Sequence, residues 1–302
     1  MKLSADFKER KAKIEPRSDL REDNRRSERP IDVGIVLVHY HNGPEVARFL
    51  QNVRKAAMPE GGRRHVVIVD NGGDARAAGL VNRENVLLVR PTRNLGYANG
   101  CSWGIKVFRQ HFEVEPTWWM VTNSDLQVSP AFFQRLLRTS WPETVGVLAP
   151  DVREEAWPCN PFLLTRPSVA QLRWWLYVLS TPGAATMYRY LSLVKRRIGR
   201  PSAPPVHPRS IYAPHGSLMV MHRRFFEQGG RLGYGGFLYG EELHVAEQAR
   251  TCDLTVWWSP SLQACHYTGG VTGSLSAARR RKWMRESLEF VYRTYFEGDA
   301  AG

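Results

Sequence analysis

One carboxylate, Asp125, follows the apolar run of residues 118–121 and a short polar turn, Thr122-Asn123-Ser124. A carboxylate at the end of a buried strand can face a ligand, because ligands of α/β sheets bind beyond the carboxyl ends of the strands. The alternative is structural, since Asp favours turns and Ser129 would then cap a helix that has Pro130 in its first turn. The residue types alone leave both interpretations open.

The glycine-rich loop of residues 93–100 carries groups that suit a phosphate. Gly96 permits close approach of the backbone, the helix N-terminus after it favours negative charge, and Arg93 can reach a phosphate oxygen. The loop has neither the lysine signature of a P-loop nor the G-x-G-x-x-G spacing of a dinucleotide site. An ordinary turn explains the same residues equally well.

Further candidates lie in the second half of the chain. Glu241 and Glu242 stand at the start of a helix predicted over residues 242–251, where acidic groups are also ordinary partners of the helix dipole. His266 follows a strand predicted at residues 255–258, and a lone histidine in such a place is more often structural than a ligand. Neither signal assigns a role by itself.

Apolar runs and helical patterns alternate from residue 31 onward. The patterns predict strands at residues 33–38, 65–69, 86–89, 118–121 and 217–221, and helices at residues 44–57 and 98–112. Near-continuous apolar strands are typical of a parallel sheet that is covered on both faces. The sequence therefore predicts an α/β sheet of the nucleotide-binding kind, whose strand ends carry Tyr40, Asp70-Asn71, Arg93-Asn94 and Asn123 to Asp125.

The formal net charge of +13 is unevenly distributed along the 302 residues. Residues 1–30 hold ten Lys or Arg and seven acids but few apolar residues, so we expect a disordered charged tail there. No acidic residue occurs between Glu155 and Glu227, although basic residues are frequent in that segment. Such a segment favours an anionic neighbour.

Hydropathy and cysteine usage indicate the cellular compartment that we expect for this protein. No apolar run approaches the roughly 20 residues that cross a bilayer, and no signal-peptide pattern follows the basic start. The four cysteines are scattered without a Cys-x-x-Cys pair, which fits reduced thiols better than disulfides or a zinc site. We therefore expect a cytoplasmic protein that is neither secreted nor membrane-spanning.

In their order and spacing, these motifs resemble one family, the inverting sugar-nucleotide glycosyltransferases of family two, which have the GT-A fold. The bacterial rhamnosyltransferase-like members are the most similar. The resemblance runs from about residue 33 to about residue 272 and implies a mixed, mostly parallel sheet flanked by helices. It rests on Tyr40, Val69-Asp70-Asn71-Gly72, residues 93–100, Thr122 to Asp125, Tyr239-Gly240-Glu241-Glu242 and His266 to Gly270.

The resemblance implies a divalent cation, Mn²⁺ or Mg²⁺, on the diphosphate of a nucleoside-diphosphate sugar. Asp125 matches the family's carboxylate ligand and His266 matches a later histidine at the cation site. Asn123 replaces the first acid of the family's Asp-x-Asp pattern, so we expect a modest cation affinity. The positions that bind the donor in the family match Tyr40, Asp70, Asn71, Arg93, Asn94, Gly96, Asn99 and Asn123.

Glu241 and Glu242 match the family's catalytic acidic pair. The resemblance assigns Glu242 as the general base that removes the proton of the acceptor hydroxyl, with Glu241 as the second candidate. The family usually has Asp at the position of Glu242, and often Asp at the position of His244. These departures bear on the geometry of the base and on the choice of acceptor.

The expected domain plan has three parts: the tail at residues 1–30, a GT-A domain at residues 31–275 and a C-terminal amphipathic helix at residues 276–302. The domain consists of a donor half (31–150), a basic aromatic insert (156–210) and an acceptor half (211–275). Aromatic and basic residues at 161–200 are typical of interfacial helices, which predicts docking on an anionic membrane surface at the inner face of the plasma membrane. An ordinary helical insert packed on the sheet explains the pattern as well.

The expected reaction moves a sugar, with rhamnose favoured by the family likeness, to a hydroxyl of a glycan or lipid-linked acceptor in cell-surface polysaccharide synthesis. Two alternatives keep the fold: a nucleotidyltransferase and a catalytically inactive sugar-nucleotide binder. A nucleic-acid-binding protein would explain the basic patches, but it leaves Asp125 and Glu242 without a role. We therefore expect no nucleic-acid partner.

Overall fold

The computed structural model describes residues 32–76, 78–154, 157–181, 183, 207–266 and 276–298. The predictions for the charged tail, for the basic cluster Lys195-Arg196-Arg197 and for the motif that follows His266 lie outside these ranges. All four cysteines lie within them, and each is a free thiol, as predicted. Among the described residues, no helix has both the length and the apolarity needed to span a bilayer.

Ten strands of the described chain form one sheet. They are β1 Val33–His39, β2 Arg64–Asp70, β3 Val86–Val89, β4 Trp118–Thr122, β5 Leu126–Val128, β6 Val145–Glu154, β7 Trp157–Pro158, β8 Arg209–Ile211, β9 Leu218–His222 and β10 Thr255–His266. Their order in the sheet is β3-β2-β1-β4-β9-β6-β10-β5, with β7 beside β6 and β8 beside β10.

The main direction of the sheet is parallel. β1 pairs in parallel with β2 and β4, β2 with β3, and β10 with β6. β9 lies antiparallel between β4 and β6, so β6 and β10 run in the same direction as the first four strands. The prediction of a mixed, mostly parallel sheet flanked by helices is confirmed.

Helices cover both faces of this sheet in the described chain. They are α1 Gly43–Lys55, α2 Tyr97–Phe112, α3 Phe132–Arg138, α4 Val169–Ser180, α5 Arg223–Glu227, α6 Glu241–Thr251 and α7 Ala277–Tyr295. On one face Phe49 and Phe132 are fully buried in the same hydrophobic core as Ile35 of β1. On the other face Phe108 packs against Trp119, with ring centroids 4.8 Å apart. The strands are apolar along their length because both faces are buried.

The chain after Asp125 differs from the prediction. β5 begins at Leu126, and Ser129 at the end of this segment donates its N–H to the Gln263 carbonyl (2.9 Å). The following helix, α3, starts only at Phe132, whose N–H donates to the Ser129 carbonyl (3.0 Å). The prediction of Ser129 as an N-cap with Pro130 in the first helical turn is therefore wrong. The hydrogen bonds of the Ser129 backbone place it in a turn beside β10, and Ala131 precedes the first helical residue.

The C-terminal helix α7 packs on the acceptor half. It contacts α4 and α6 and buries Ser287, Leu288 and Val291. Ser287 Oγ donates to the Leu238 carbonyl (2.9 Å), in the loop that leads to the predicted acidic pair. This packing gives the predicted amphipathic helix a structural role next to the candidate site.

A buried ion-pair network joins the insert to α6. The fully buried carboxylate of Glu247 accepts hydrogen bonds from Arg166 Nε (2.7 Å), Arg250 Nε (3.1 Å) and the Tyr212 hydroxyl (2.7 Å). Arg166 also donates to the Tyr295 carbonyl (3.0 Å). A buried carboxylate is tolerated when its oxygens are paired in this way. The network therefore fixes α6 against both the insert and α7.

Replacing Arg166 with Ala leaves the buried carboxylate of Glu247 without its main cation. We expect the free energy of unfolding to fall by about 3 kcal/mol, as for a buried pair that loses one partner. Arg293→Ala is the control, because Arg293 pairs with Glu289 on the exposed side of α7 and such pairs contribute less than about 1 kcal/mol. Urea unfolding measures both values, and equal losses would contradict this account of the network.

Candidate active site

The two predicted cation ligands, Asp125 and His266, lie side by side. β5 starts one residue after Asp125 and pairs antiparallel with the end of β10, where Leu126 lies opposite His266. This register places His266 Nε2 3.0 Å from Asp125 Oδ1. The hydrogen bond to Asp125 raises the pKa of His266 above its ordinary value. The strand predicted at residues 255–258 extends to His266, and this extension forms the pair.

The chemistry of this pair fits a divalent cation. A carboxylate oxygen and an imidazole nitrogen lie close enough to share one ion, and 11% and 19% of the respective side chains are exposed. The nitrogen ligand suits Mn²⁺ better than Mg²⁺, which prefers oxygen. Asp125 and His266 are therefore the residues that would hold such an ion.

A second cluster, His39, Asp70 and Asp74, presents ligand atoms within 4.8 Å of one another. Its oxygens already have partners within the fold. Asp70 accepts the Gly73 N–H at 2.7 Å, and the oxygens of Asp74 lie 3.0 Å from His39 Nε2 and 2.9 Å from His41 Nδ1. These contacts hold the loop after β2 against the end of β1. They favour a structural role for Asp70, in addition to its predicted contact with the nucleotide-sugar donor.

Asn71 fixes the glycine-rich loop against the end of β2. Its Nδ2 donates to the Gly96 carbonyl (2.8 Å), and Asn94 Oδ1 accepts the Gly96 N–H (2.9 Å). Gly96 has a φ of +79°, and a side chain at this position would collide with the Phe237 carbonyl. Only glycine fits there, and the loop lies close to the acceptor half as a result.

The remaining predicted donor residues divide into two groups. Asn99 is fully engaged, since its Nδ2 donates to the Gly236 carbonyl (2.8 Å) and its Oδ1 accepts the Tyr234 N–H (2.8 Å). Asn99 thus positions the loop before α6. Arg93 and Tyr40 are exposed beyond the strand ends, where they are accessible to a ligand.

The predicted acidic pair stands in the first turn of α6. Glu241 is buried, whereas Glu242 is partly exposed. The Gly216 N–H donates to Glu242 Oε1 (3.3 Å), and a Cβ on Gly216 would lie 2.8 Å from Oε1 of either glutamate. Glycine at this position therefore lets the loop of residues 215–217 approach both carboxyl groups.

Burial raises the pKa of both glutamates above its ordinary value. For Glu241 the negative charge of Glu242 adds to burial, whereas backbone N–H groups, including that of Gly216, partly oppose the shift for Glu242. Two neighbouring carboxyl groups titrate as a unit. The pair therefore retains a proton to higher pH than isolated glutamates do, which suits proton transfer.

The loop of residues 215–217 joins the cation pair to the acidic pair. The Ser217 carbonyl accepts the Asn123 N–H (2.8 Å), while the adjacent Gly216 contacts Glu242. The buried hydroxyl of Tyr97 donates to the Gly216 carbonyl (2.9 Å). Burial raises the pKa of Tyr97 well above its ordinary value, and the nearby charges of Glu241, Glu242 and Asp125 raise it further. The Tyr97 hydroxyl therefore holds the loop that links the two pairs.

Two histidines near the site differ from the sequence-based expectations. The sequence gives no signal for His215, since nothing in a His-Gly-Ser triplet before an apolar run marks a site. Burial lowers its pKa to about 4, helped by the charge of the nearby His266. His244 is held inside the fold, with Nε2 2.9 Å from the Arg231 carbonyl and Nδ1 2.8 Å from the Tyr295 hydroxyl. This placement favours a structural role over the expected influence on acceptor choice.

Residues 34–155 match the family described as Glycosyl transferase family 2. The chain is also 20% identical over 236 residues to a curated relative, the low-salt glycan biosynthesis hexosyltransferase Agl10 of Haloferax volcanii. That alignment covers 78% of this chain and 67% of the relative. The predicted enzyme class, glycosyltransferase, is thereby confirmed for the domain at residues 34–155.

Two solved structures resemble the fold, each with a TM-score of 0.50. GalNAc-T7, solved with UDP, GalNAc and Mn²⁺, is 14% identical, and the match covers 80% of this chain and 44% of that one. S. aureus TarS 1-349, solved in complex with UDP-GlcNAc, is 9% identical, and the match covers 87% of this chain and 73% of that one. These likenesses confirm the predicted GT-A fold. The chain spans less than half the length of GalNAc-T7.

The raised pKa of Glu242 predicts the pH dependence of turnover. As the predicted general base, Glu242 would act only when unprotonated, so kcat/KM should fall as the pH is lowered through a pKa above the ordinary value of 4.5. A pH profile of kcat/KM for sugar transfer measures the acid limb. An acid limb centred at or below pH 4.5 would contradict the buried environment assigned to this carboxyl group.

Proposed function

We propose, on the premise that residues 34–155 form a Glycosyl transferase family 2 domain, that this chain transfers a sugar from a nucleoside-diphosphate sugar to a hydroxyl group with inversion. One observation carries the proposal. The loop of residues 215–217 contacts Glu242 on one side and Asn123, two residues before Asp125, on the other. This loop links the proposed base, Glu242, to the segment that carries the proposed cation ligand, Asp125, which supports one shared site.

Glu242 acts as the general base. It is the more exposed of the two glutamates, and burial poises its pKa nearer to neutrality. It takes the proton of the acceptor hydroxyl while the acceptor oxygen bonds to the anomeric carbon and the bond from that carbon to the phosphate oxygen breaks. Attack from the face opposite the departing nucleoside diphosphate inverts the anomeric centre. Glu241, the neighbouring member of the pair, is buried, and its Oε2 accepts a hydrogen bond from the Tyr234 hydroxyl (3.4 Å).

Asp125 and His266 hold the divalent cation in this proposal, with Mn²⁺ favoured by the nitrogen ligand. When bound, the cation supplies positive charge that stabilises the departing diphosphate. Tyr40, Asp70 and Asn71 lie at the adjoining strand ends, where the nucleoside of the donor would bind. Asn94, Gly96 and Asn99 shape that side of the site through the contacts of the glycine-rich loop.

The substrates follow from the family resemblance. We assign the donor sugar as rhamnose and the acceptor as a glycan or lipid-linked hydroxyl compound in cell-surface polysaccharide synthesis. The domain plan, with donor half 31–150, insert 156–210 and acceptor half 211–275, belongs to the same proposal. Its physical support is that Asp125 lies in the first of these halves and Glu242 in the last.

The insert contributes a membrane-facing surface, which we define as Trp174 and Tyr177 of α4 together with Arg281, Lys282 and Arg285 of α7. The two rings stack with centroids 5.7 Å apart, although 55% and 57% of the residues are exposed. Beside them, α4 and α7 form a cavity of ≈ 270 Å³ lined by Leu179, Ser180, Ala278, Arg281, Lys282 and Arg285. Exposed aromatics next to cations suit an anionic lipid surface, to which each cation adds about 1 kcal/mol.

Ligand-dependent stabilisation tests the donor and the cation. In a thermal-shift panel of UDP, dTDP and GDP with and without Mn²⁺, we expect dTDP with Mn²⁺ to raise Tm by about 5 °C at a hundredfold excess over Kd. Asp125→Ala should abolish the effect of Mn²⁺ on this shift. Stabilisation that is the same without Mn²⁺, or unaffected by Asp125→Ala, would contradict the cation assignment.

The base is tested by a variant that preserves its shape. Glu242→Gln should lower kcat at least about a hundredfold, because it removes general base catalysis, while the dTDP-induced Tm shift stays unchanged. Glu227→Gln on α5 is the matched control, since Glu227 is exposed and outside the site. Turnover of Glu242→Gln within a few fold of the wild type would exclude Glu242 as the base.

Vesicle binding tests the membrane-facing surface. We expect co-sedimentation with phosphatidylserine-containing vesicles and not with purely phosphatidylcholine vesicles, weakened by salt. The double variant Trp174→Ser/Tyr177→Ser should lose this binding. Val81→Ser is the control, because Val81 is 53% exposed but lies beside β3 at the far edge of the sheet. Binding that ignores the anionic lipid content would contradict the proposal.

A further inference from the structure

The backbone of His215 is held in place by a hydrogen bond to a buried side chain. Its N–H donates to Asn160 Oδ1 (2.7 Å), and Asn160 is itself fully buried, with Nδ2 donating to the Pro150 carbonyl (2.8 Å). The next residue, Gly216, contacts Glu242, and Ser217 contacts Asn123. His215 therefore stands in a rigid loop between the cation pair and the acidic pair.

The hydrogen bonds of Nδ1 determine the tautomer of His215. The Ser217 N–H points at Nδ1 (3.3 Å), and Ser217 Oγ lies 2.7 Å from the same atom. A backbone N–H can only donate, so Nδ1 is an acceptor and carries no proton. In a neutral imidazole the proton then resides on Nε2. An Nε2–H group donates a hydrogen bond, so His215 is not a third cation ligand.

The Nε2–H group of His215 has no hydrogen-bond acceptor among the residues that the structure describes. Within the described part of the chain Nε2 makes no hydrogen bond, although the residue is partly buried beside the Phe162 ring, with centroids 5.8 Å apart. His266 lies near enough for its charge to affect His215. A partly buried donor that has no partner among the described residues is expected to bind an acceptor supplied by a ligand.

We propose that His215 binds the donor, with Nε2–H donating to an oxygen of the phosphate that carries the sugar. This inference rests on the proposed function. The loop of His215 also contacts Glu242. In the proposed reaction Glu242 reaches the acceptor hydroxyl beside the anomeric carbon. The phosphate that carries the sugar is therefore expected to lie closer to this loop than the phosphate that carries the nucleoside. The N–H of a neutral imidazole adds a hydrogen bond to this phosphate without repelling the cation at Asp125.

Isothermal titration of a nucleoside diphosphate and the matching monophosphate, both with Mn²⁺, tests this contact in the full-length protein. His215→Ala should weaken binding of the diphosphate by about tenfold to a hundredfold, as for a lost hydrogen bond to a charged acceptor. Binding of the monophosphate should stay within about twofold. His215→Gln should recover part of the loss, because its Nε2 can donate from a similar place.

The control is His207→Gln, which alters an exposed histidine outside the loop. Unchanged diphosphate affinity in His215→Ala would overturn the inference. An equal loss for both nucleotides together with a lower Tm would overturn it as well, since it would indicate a structural role. If the wild type bound neither nucleotide, the proposed function itself would fall, which separates the two failures.

Discussion

The backbone contact between Gly216 and the acidic pair is the constraint on which the site depends. Two carboxyl groups at the start of α6 lie close to a strand end only because position 216 has no side chain, as a Cβ would lie 2.8 Å from each. The buried Tyr97 hydroxyl holds the Gly216 carbonyl from the opposite side. Through this one residue, the packing of α2 on the sheet is coupled to the position of the proposed base, Glu242.

Residues outside the acceptor half keep α6 in the orientation that this contact requires. Glu247, one and a half turns after Glu241, is anchored by Arg166 from the insert, and α7 closes over the loop before α6 through Ser287. Asn99 ties the same loop to α2. Residues distant in sequence thus combine to hold one helix end. Rigid support of this kind keeps a base within the narrow geometry that proton transfer needs.

The sheet could be predicted from the sequence because its strands are buried on both faces and read as apolar runs. The pairing of Asp125 with His266 could not be read from periodicity, since it depends on the three-residue strand β5 and on the polar end of β10. The family resemblance identified those two residues instead. His215 and the Arg166–Glu247 pair escaped prediction, because their roles arise from contacts between segments far apart in the chain.

The most direct measurement of the central claim is the position of a bound cation relative to the acidic pair. A crystal grown with Mn²⁺ and a nucleoside diphosphate, and measured at the manganese absorption edge, locates the ion by its anomalous scattering. We predict a peak between Asp125 and His266, with the terminal phosphate on the side of Glu242. A peak at His39, Asp70 and Asp74, or a diphosphate that lies away from Glu242, would contradict it.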